Sequence, residues 1–394
     1  MEIINQIKQI ASVIFPEIIS IRRHIHSHPE LSFEEYETSA FICRILDQWG
    51  VPYKSGIAGT GIVATLEGKN PGRTIAFRAD IDALPVIEMN QVPYKSLNIG
   101  KMHACGHDVH TSSLLGAIRI LMDLKGSWNG KIKFVFQPGE EKIPGGASLM
   151  LKENALSPND PEIIIAQHVF PDMEVGNVGF KSGQYMASSD EIYISVKGKG
   201  GHAALPDKLI DPVLMSAHLI VSLQQIVSRH AKAGIPTVLS FGKIVAAGSV
   251  NVIPDSVNIE GTFRTMNEEW RKRAHELIRK ITTGIISGMG GKAEVEIRHG
   301  YPVLTNDPGV TQKARSFAAK YLGEKHVHEL ETRMTAEDFA YFAQKYPATL
   351  FRLGTSDPGK QSSALHTSTF NVNEKAIELS MGLLAFMAVS FLDE

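Results

Sequence analysis

Apolar side chains recur every three to four positions from residue 34 to residue 49, and Gly50 and Pro52 then close the pattern, which predicts a helix. The opening MEIINQIKQIASVIFPEII has the same spacing and predicts an amphipathic helix. Short apolar runs and longer helical stretches follow in alternation. Strands are expected at 61–66, 74–78, 132–136 and 163–166, with a helix across 108–124 between the second and third of these. That order suggests a largely parallel sheet covered by helices, an α/β class of fold.

The texture changes past Gly183. Residues 191–197 alternate as a half-exposed strand does, 210–229 reads as a helix, and 238–245 and 256–264 again read as strands. A helix at 268–286 leads into the glycine-rich 288–291, and 293–299 alternates once more. Strand, helix, strand, strand, helix, strand is the order of a compact α+β sandwich. The economical arrangement is an insertion, residues 184–298, between two parts of a larger domain, 1–183 and 299–394. The last part carries expected helices at 310–322, 335–344 and 374–391 and a strand at 349–353.

Composition narrows the function classes. The 394 residues are 43% apolar, enough for substantial cores, and 40 basic against 42 acidic side chains leave a formal charge of -2. Neither nucleic acid nor an anionic membrane is an expected partner on that balance. No run of eighteen uncharged apolar residues occurs, so a membrane span is not expected. The amino end has acidic residues and no basic start, unlike a secretory leader, and Cys43 and Cys105 fit reduced thiols better than a disulfide. The expected location is the cytoplasm.

The densest chemistry is HACGHDVH at 103–110. A thiolate and imidazoles are good ligands for zinc and other borderline metals, and the Cys105-x-His107 spacing lets one turn direct both at an ion. A histidine-activated cysteine nucleophile is the alternative. FQPGEE at 136–141 places Glu140 and Glu141 after an apolar strand, where parallel sheets build their sites, although paired acids in a loop are more often merely solvated. Arg78, Asp80 and Asp82 follow the 74–78 strand, His168 follows the 163–166 strand, and His366 lies in the loop after 349–353. In the insertion, His202 stands in the glycine-rich turn GKGGHAALP at 198–206. It is either an ordinary exposed turn histidine or a donor to a carbonyl oxygen in the transition state. NVIP at 251–254 and GTFR at 261–264 are further polar interruptions, and the fork of Arg264 suits either a carboxylate or a structural ion pair.

With these segments in order, the chain resembles the M20 metallopeptidase family, in the amidohydrolase branch of N-acyl-amino-acid, hippurate and auxin-conjugate hydrolases. The resemblance spans nearly the whole chain. It is carried by RHIHSHPE (23–30), FRADIDALP (77–85), MHACGHDVH (102–110), FQPGEE (136–141), GGHAALP (200–206), NVIP (251–254), TAEDF (335–339) and LHT (365–367). It implies a metallopeptidase-type catalytic domain with an inserted lid and dimerisation domain. It further implies two divalent metal ions (zinc, manganese, nickel or cobalt) held by Cys105, His107, Glu141, His168 and His366, with Glu140 as general base. His202 is implied to reach the partner subunit's site in a homodimer or higher homo-oligomer. Asn251 and Arg264 are implied to help bind the substrate carboxylate or its surroundings, and Asp80 is a candidate for the layer behind the ligands, with no firm role assigned.

The implied reaction cleaves the amide of an N-acyl amino acid: Glu140 takes a proton from the attacking water and returns it to the leaving amine. One departure concerns substrate preference. Relatives often carry a histidine after the proline of the glycine-rich turn, where this chain has Pro206 and Asp207. The competing readings are a dipeptidase or aminopeptidase-like relative and a non-catalytic protein on the same fold. Retention of Glu140 beside a full ligand set argues against the second.

Overall fold

The computed structural model describes residues 2–158, 160–360 and 363–394. The chain forms two compact units. The first takes in residues up to Tyr185 together with Thr305–Thr332 and Asp338–Glu394, and the second takes in Met186–Leu304 and Arg333–Glu337.

In chain order the first unit contributes α1 (Glu2–Ser27), α2 (Tyr36–Trp49), β1 (Tyr53–Ile57), β2 (Gly61–Glu67), β3 (Thr74–Asp80), α3 (His107–Asp123), β4 (Lys131–Gln137), α4 (Gly146–Lys152), β5 (Ile163–Glu174) and β6 (Val178–Phe180). The second unit supplies β7 (Asp190–Lys197), α5 (Pro212–Leu223), β8 (Thr237–Val245), β9 (Ser256–Thr265), α6 (Glu268–Gly288) and β10 (Lys292–His299). The chain then returns to the first with α7 (Pro308–Leu322), β11 (Val327–Glu329), α8 (Ala340–Lys345), β12 (Ala348–Ser356) and α9 (Lys375–Leu392).

The first unit is built on one eight-stranded sheet in the order β1-β2-β4-β3-β5-β12-β6-β11. Its heart is parallel, β3 pairing with β4 and β5 and β5 with β12. The flanks correct the expectation of a largely parallel sheet, because β1 and β2 form a hairpin and β2 runs antiparallel to β4. So short a connection can join only antiparallel strands. The central strands are buried along nearly their whole length, as strands covered on both faces must be.

Helices α1, α3 and α9 pack on one another, and α3 and α9 also touch β3. α9 is long and apolar enough to cross a membrane, yet 72% of that stretch is buried inside the protein. It is a core helix, with Met381, Leu383, Met387 and Ala388 at 0% exposure. A second correction concerns the helix expected at 335–344: only Ala340–Lys345 is helical. Asp338, just before it, is drawn into a buried network, accepting from Arg78 Nη2 (2.8 Å), Gln137 Nε2 (2.7 Å) and Ala147 N (3.0 Å).

The second unit is an antiparallel four-stranded sheet, β8-β9-β7-β10, packed by α5 and α6. Ile192, Ile194 and Val196 alternate inward from β7 onto Met215 and Leu219 of α5 and Ile278 of α6. Pro212 opens α5 behind Asp211, whose carboxylate accepts from Val213 N and Leu214 N, and Asn267 caps α6 through Trp270 N.

Candidate metal and catalytic site

The parallel heart of the sheet delivers polar groups to one rim. Asp80 ends β3 and Asp82 follows it, Gln137 ends β4 before Glu140 and Glu141, His168 lies in β5, and His366 sits in the loop after β12. The turn into α3 brings Cys105 and His107. Gly106 has φ +80°, and a Cβ there would meet Val169 at 2.6 Å, so the helix start reaches β5 only through glycine.

Cys105 Sγ lies between two imidazoles, 3.4 Å from His168 Nε2 and 3.3 Å from His366 Nε2. Ligating atoms of Cys105, His107 and His168 fall within 4.8 Å of one another; so do those of Cys105, Glu141 and His366, and those of His107, Glu140 and Glu141. The far ring nitrogens are tied back. His107 Nδ1 donates to Asp82 Oδ1 (3.1 Å) and His168 Nδ1 to Val169 O (2.8 Å), which turns the Nε2 of each ring inward. His366 is a non-glycine residue at φ +63°, pinned by its own N–H to Ala104 O at 2.8 Å. Strain of this kind persists where surrounding structure over-determines it, commonly at functional sites.

Two buried atoms make the case for a cation. His107 Nε2 and Glu141 Oε1 have no hydrogen-bond partner among the described residues, although Glu141 Oε1 lies 3.2 Å from His366 Nε2. Leaving such groups dry and unpaired is costly unless something else satisfies them. Electrostatics agrees. Burial opposes charge on His107, but Asp80 and Asp82 outweigh it and push the ring up to about 10. Burial, with Glu141 and Glu140 beside it, pushes the Cys105 thiol well above its ordinary range, and the adjacent Glu141 carboxylate raises His366. Thiolate, imidazole and carboxylate are a donor set that fits borderline divalent ions.

Asp80 is wholly buried, accepts from His110 Nδ1 (2.5 Å) and Arg78 Nη1 (2.7 Å), and lies 3.6 Å from His107 Nε2. His110 accepts from Val169 N through Nε2, so both its nitrogens are used structurally. Asp82 has the more direct part that sequence reading left unassigned: it holds His107 and, through Oδ2, accepts from Glu141 N at 3.0 Å. The signal was present in the i, i+2 spacing of Arg78, Asp80 and Asp82. Which carboxylate met which imidazole depended on how the end of β3 packs on α3.

His202, Asn251 and Arg264 belong to the second unit. His202 is exposed on a two-residue ribbon, Gly201–His202 paired with Val252–Ile253, and Ala203 N donates to Asn251 O at 3.0 Å, so these two residues are neighbours. Ala204 N donates to His202 Nδ1 at 3.1 Å, which leaves the proton of a neutral ring on Nε2. Arg264 is half-buried and donates from Nη1 to Met334 O at 3.1 Å.

Residues 76–389 match the sequence model of peptidase family M20/M25/M40. The chain is 40% identical over 366 residues to the N-acetyl-L-cysteine deacetylase of Bacillus subtilis (strain 168), covering 93% of this chain and 86% of that protein. Identity to the N-acyl-L-amino acid amidohydrolase of Geobacillus stearothermophilus is 39% over 306 residues, 77% and 82% of the two chains. Among solved structures, the YXEP protein of Bacillus subtilis, a dinuclear metal binding peptidase from the M20 family, superposes with a TM-score of 0.83 at 33% identity, covering 97% of this chain and 99% of that one.

Proposed function

Because the chain belongs to peptidase family M20/M25/M40, we propose that it is a metal-dependent amidohydrolase that cleaves N-acyl amino acids to a carboxylic acid and a free amino acid. The observation that carries this reading is the pair of orphaned buried atoms, His107 Nε2 and Glu141 Oε1, facing the same cluster as Cys105. Two divalent ions, as in the dinuclear relative of known structure, would be held by Cys105, His107, Glu141, His168 and His366. Zinc, manganese, nickel and cobalt all suit that set. When bound, the ions supply Lewis-acid polarisation of the amide carbonyl and acidify the attacking water.

The chain's own groups perform the proton transfers. Glu140 is 6% exposed and within reach of the same cluster, so its carboxylate accepts the proton of the attacking water and returns it to the leaving amine. His202 donates from Nε2 to the oxyanion, and Asn251 and Arg264 orient the carboxylate of the substrate. Assembly as a homodimer through the second unit is part of this reading. Strand β8 is a sheet edge with Ile244 and Val245 exposed, and Val213, Leu214 and Val221 of α5 are exposed as well. The opposite edge strand, β10, is guarded by Lys292, Glu294, Glu296 and Arg298. Two free cysteines fit a reducing compartment, and the cytoplasm is the proposed location.

The peptidase alternative is not favoured, because a deacetylase and an acyl-amino-acid amidohydrolase stand among the most similar relatives. A panel of N-acetyl and N-benzoyl amino acids beside unblocked dipeptides tests the choice. The acylated substrates should have kcat/KM at least about 10²-fold higher, the scale on which pocket chemistry discriminates. The opposite ranking would overturn the assignment.

A further inference from the structure

Glu35 is a carboxylate with 0% exposure, far in sequence from the cluster described above. Its two oxygens collect three donors. Oε1 accepts from Phe33 N at 2.9 Å and from Gly139 N at 2.8 Å, and Oε2 accepts from Thr60 Oγ1 at 2.7 Å. Gly139 is the residue immediately before Glu140. It sits at φ +57°, and a Cβ there would meet the Phe33 ring at 2.4 Å, so the 33–35 segment presses directly on the turn from β4. Gly146 N donates to Gly139 O at 3.0 Å and closes the same turn from its other side. The next residue but one is held separately, since Glu141 N donates to Asp82 Oδ2, which also accepts from Ser32 Oγ at 2.6 Å. The backbone on either side of Glu140 is thus fastened by two different buried carboxylates, Glu35 before it and Asp82 after it.

We propose that Glu35 is a positioning residue for catalysis, fixing through Gly139 N the backbone that aims the Glu140 carboxylate at the attacking water. The proposal rests on the assignment of Glu140 as general base. Misplacing a catalytic group by about 1 Å costs on the order of 10²-fold in rate even when the altered residue never touches substrate. The geometry separates this role from metal retention, because Glu141 keeps its own anchor on Asp82. It also separates hydrogen bonding from charge: a glutamine at position 35 can accept from Phe33 N and Gly139 N through its carbonyl while its amide donates to Thr60 Oγ1.

Four single variants, Glu35→Leu, Glu35→Gln, Glu35→Asp and Glu140→Gln, and the double variant Glu35→Leu with Glu140→Gln test it, each assayed for kcat, KM and bound metal in the reconstituted enzyme. Glu35→Leu should lose about 10- to 10²-fold in kcat with KM and metal content near wild type, and Glu35→Gln should recover most of the loss. Glu35→Asp keeps the charge but is one methylene too short to reach Gly139 N and Thr60 Oγ1 together. It should lose about 10-fold and decides the matter if the leucine variant does not fold. In the Glu140→Gln background, adding Glu35→Leu should lower kcat no further, whereas a purely structural role would give additive losses. The proposal is overturned by a folded leucine or aspartate variant with kcat within about two-fold of wild type, or by additive losses in the double variant. A Glu140→Gln enzyme with full kcat would instead remove the base assignment itself, and the Glu35 role along with it.

Discussion

Glu140 and Glu141 are adjacent in the chain yet differently placed. Glu141 offers an orphaned Oε1 beside His366, whereas Glu140 is buried alongside His107. Replacing Glu140 with glutamine should keep bound metal near wild type and cut kcat by about 10²-fold or more, the scale of lost general-base catalysis. Glu141→Gln should instead weaken metal retention. Metal analysis of the two purified variants checks the division, and exchanged behaviour would reverse it. At this scale much of the candidate site was legible: cysteine, histidines and paired acids stand out as chemistry, and strand ends say where to look. The second layer was not. Asp82 and Glu35 act by bonding a ring nitrogen or a backbone N–H brought near only by folding, and a lone acid before a helix carries no mark of that.

The ribbon that carries His202 is two residues long on each strand, and the histidine at its tip is exposed. An oxyanion donor acts mainly in the transition state, so His202→Ala should lower kcat by roughly 10²-fold or more while bound metal stays unchanged. If the donor serves a partner's site, mixing inactive Glu140→Gln and His202→Ala proteins should restore activity. Equal amounts at full random exchange give one repaired site in each of half the dimers, about one quarter of wild-type activity per site if sites are independent. No recovery after mass measurement has confirmed exchange would place His202 in its own subunit's chemistry or outside catalysis. Elements with a continuous apolar run or clean alternation, such as β3, β4, β7 and α6, could be read from the chain. Those without one could not: β1 exposes Lys54, Ser55 and Gly56, and β6 and β11 span three residues each and depend on their neighbours for existence.

Stability of the whole molecule should carry the signature of one buried ion cluster in the second unit. Asp190 accepts from Arg271 at 2.6 and 2.9 Å, from His275 Nε2 at 2.7 Å and from Gly300 N at 3.2 Å, joining the start of β7 to the chain beyond β10. Burial opposes its charge, but Arg271 and His275 prevail and hold the carboxyl at about 2. A depressed carboxyl stabilises the fold above its unfolded value near 3.8, and that contribution is lost as pH falls toward 2. The contribution is about 2 kcal/mol. Asp190→Asn should therefore lower Tm at neutral pH and flatten the loss of Tm between pH 4 and pH 2, about the window set by the two values; an unchanged acid limb would discount the cluster.

The chain's change of texture after Gly183, where period-two and helical patterns change partners, is the sequence sign nearest to the end of the first compact unit's opening stretch at Tyr185. The return of Asp338 to the first unit was not legible, since it depends on Arg78 and Gln137 waiting in the fold. The central claim is that hydrolysis requires a pair of ions in the Cys105 cluster. Its most direct test is to chelate the protein exhaustively, verify metal loss by mass spectrometry, and titrate a divalent ion back while following hydrolysis of an N-acetyl amino acid. Activity should vanish on removal and return to its maximum at two ions per subunit; full turnover by verified metal-free protein would contradict the account.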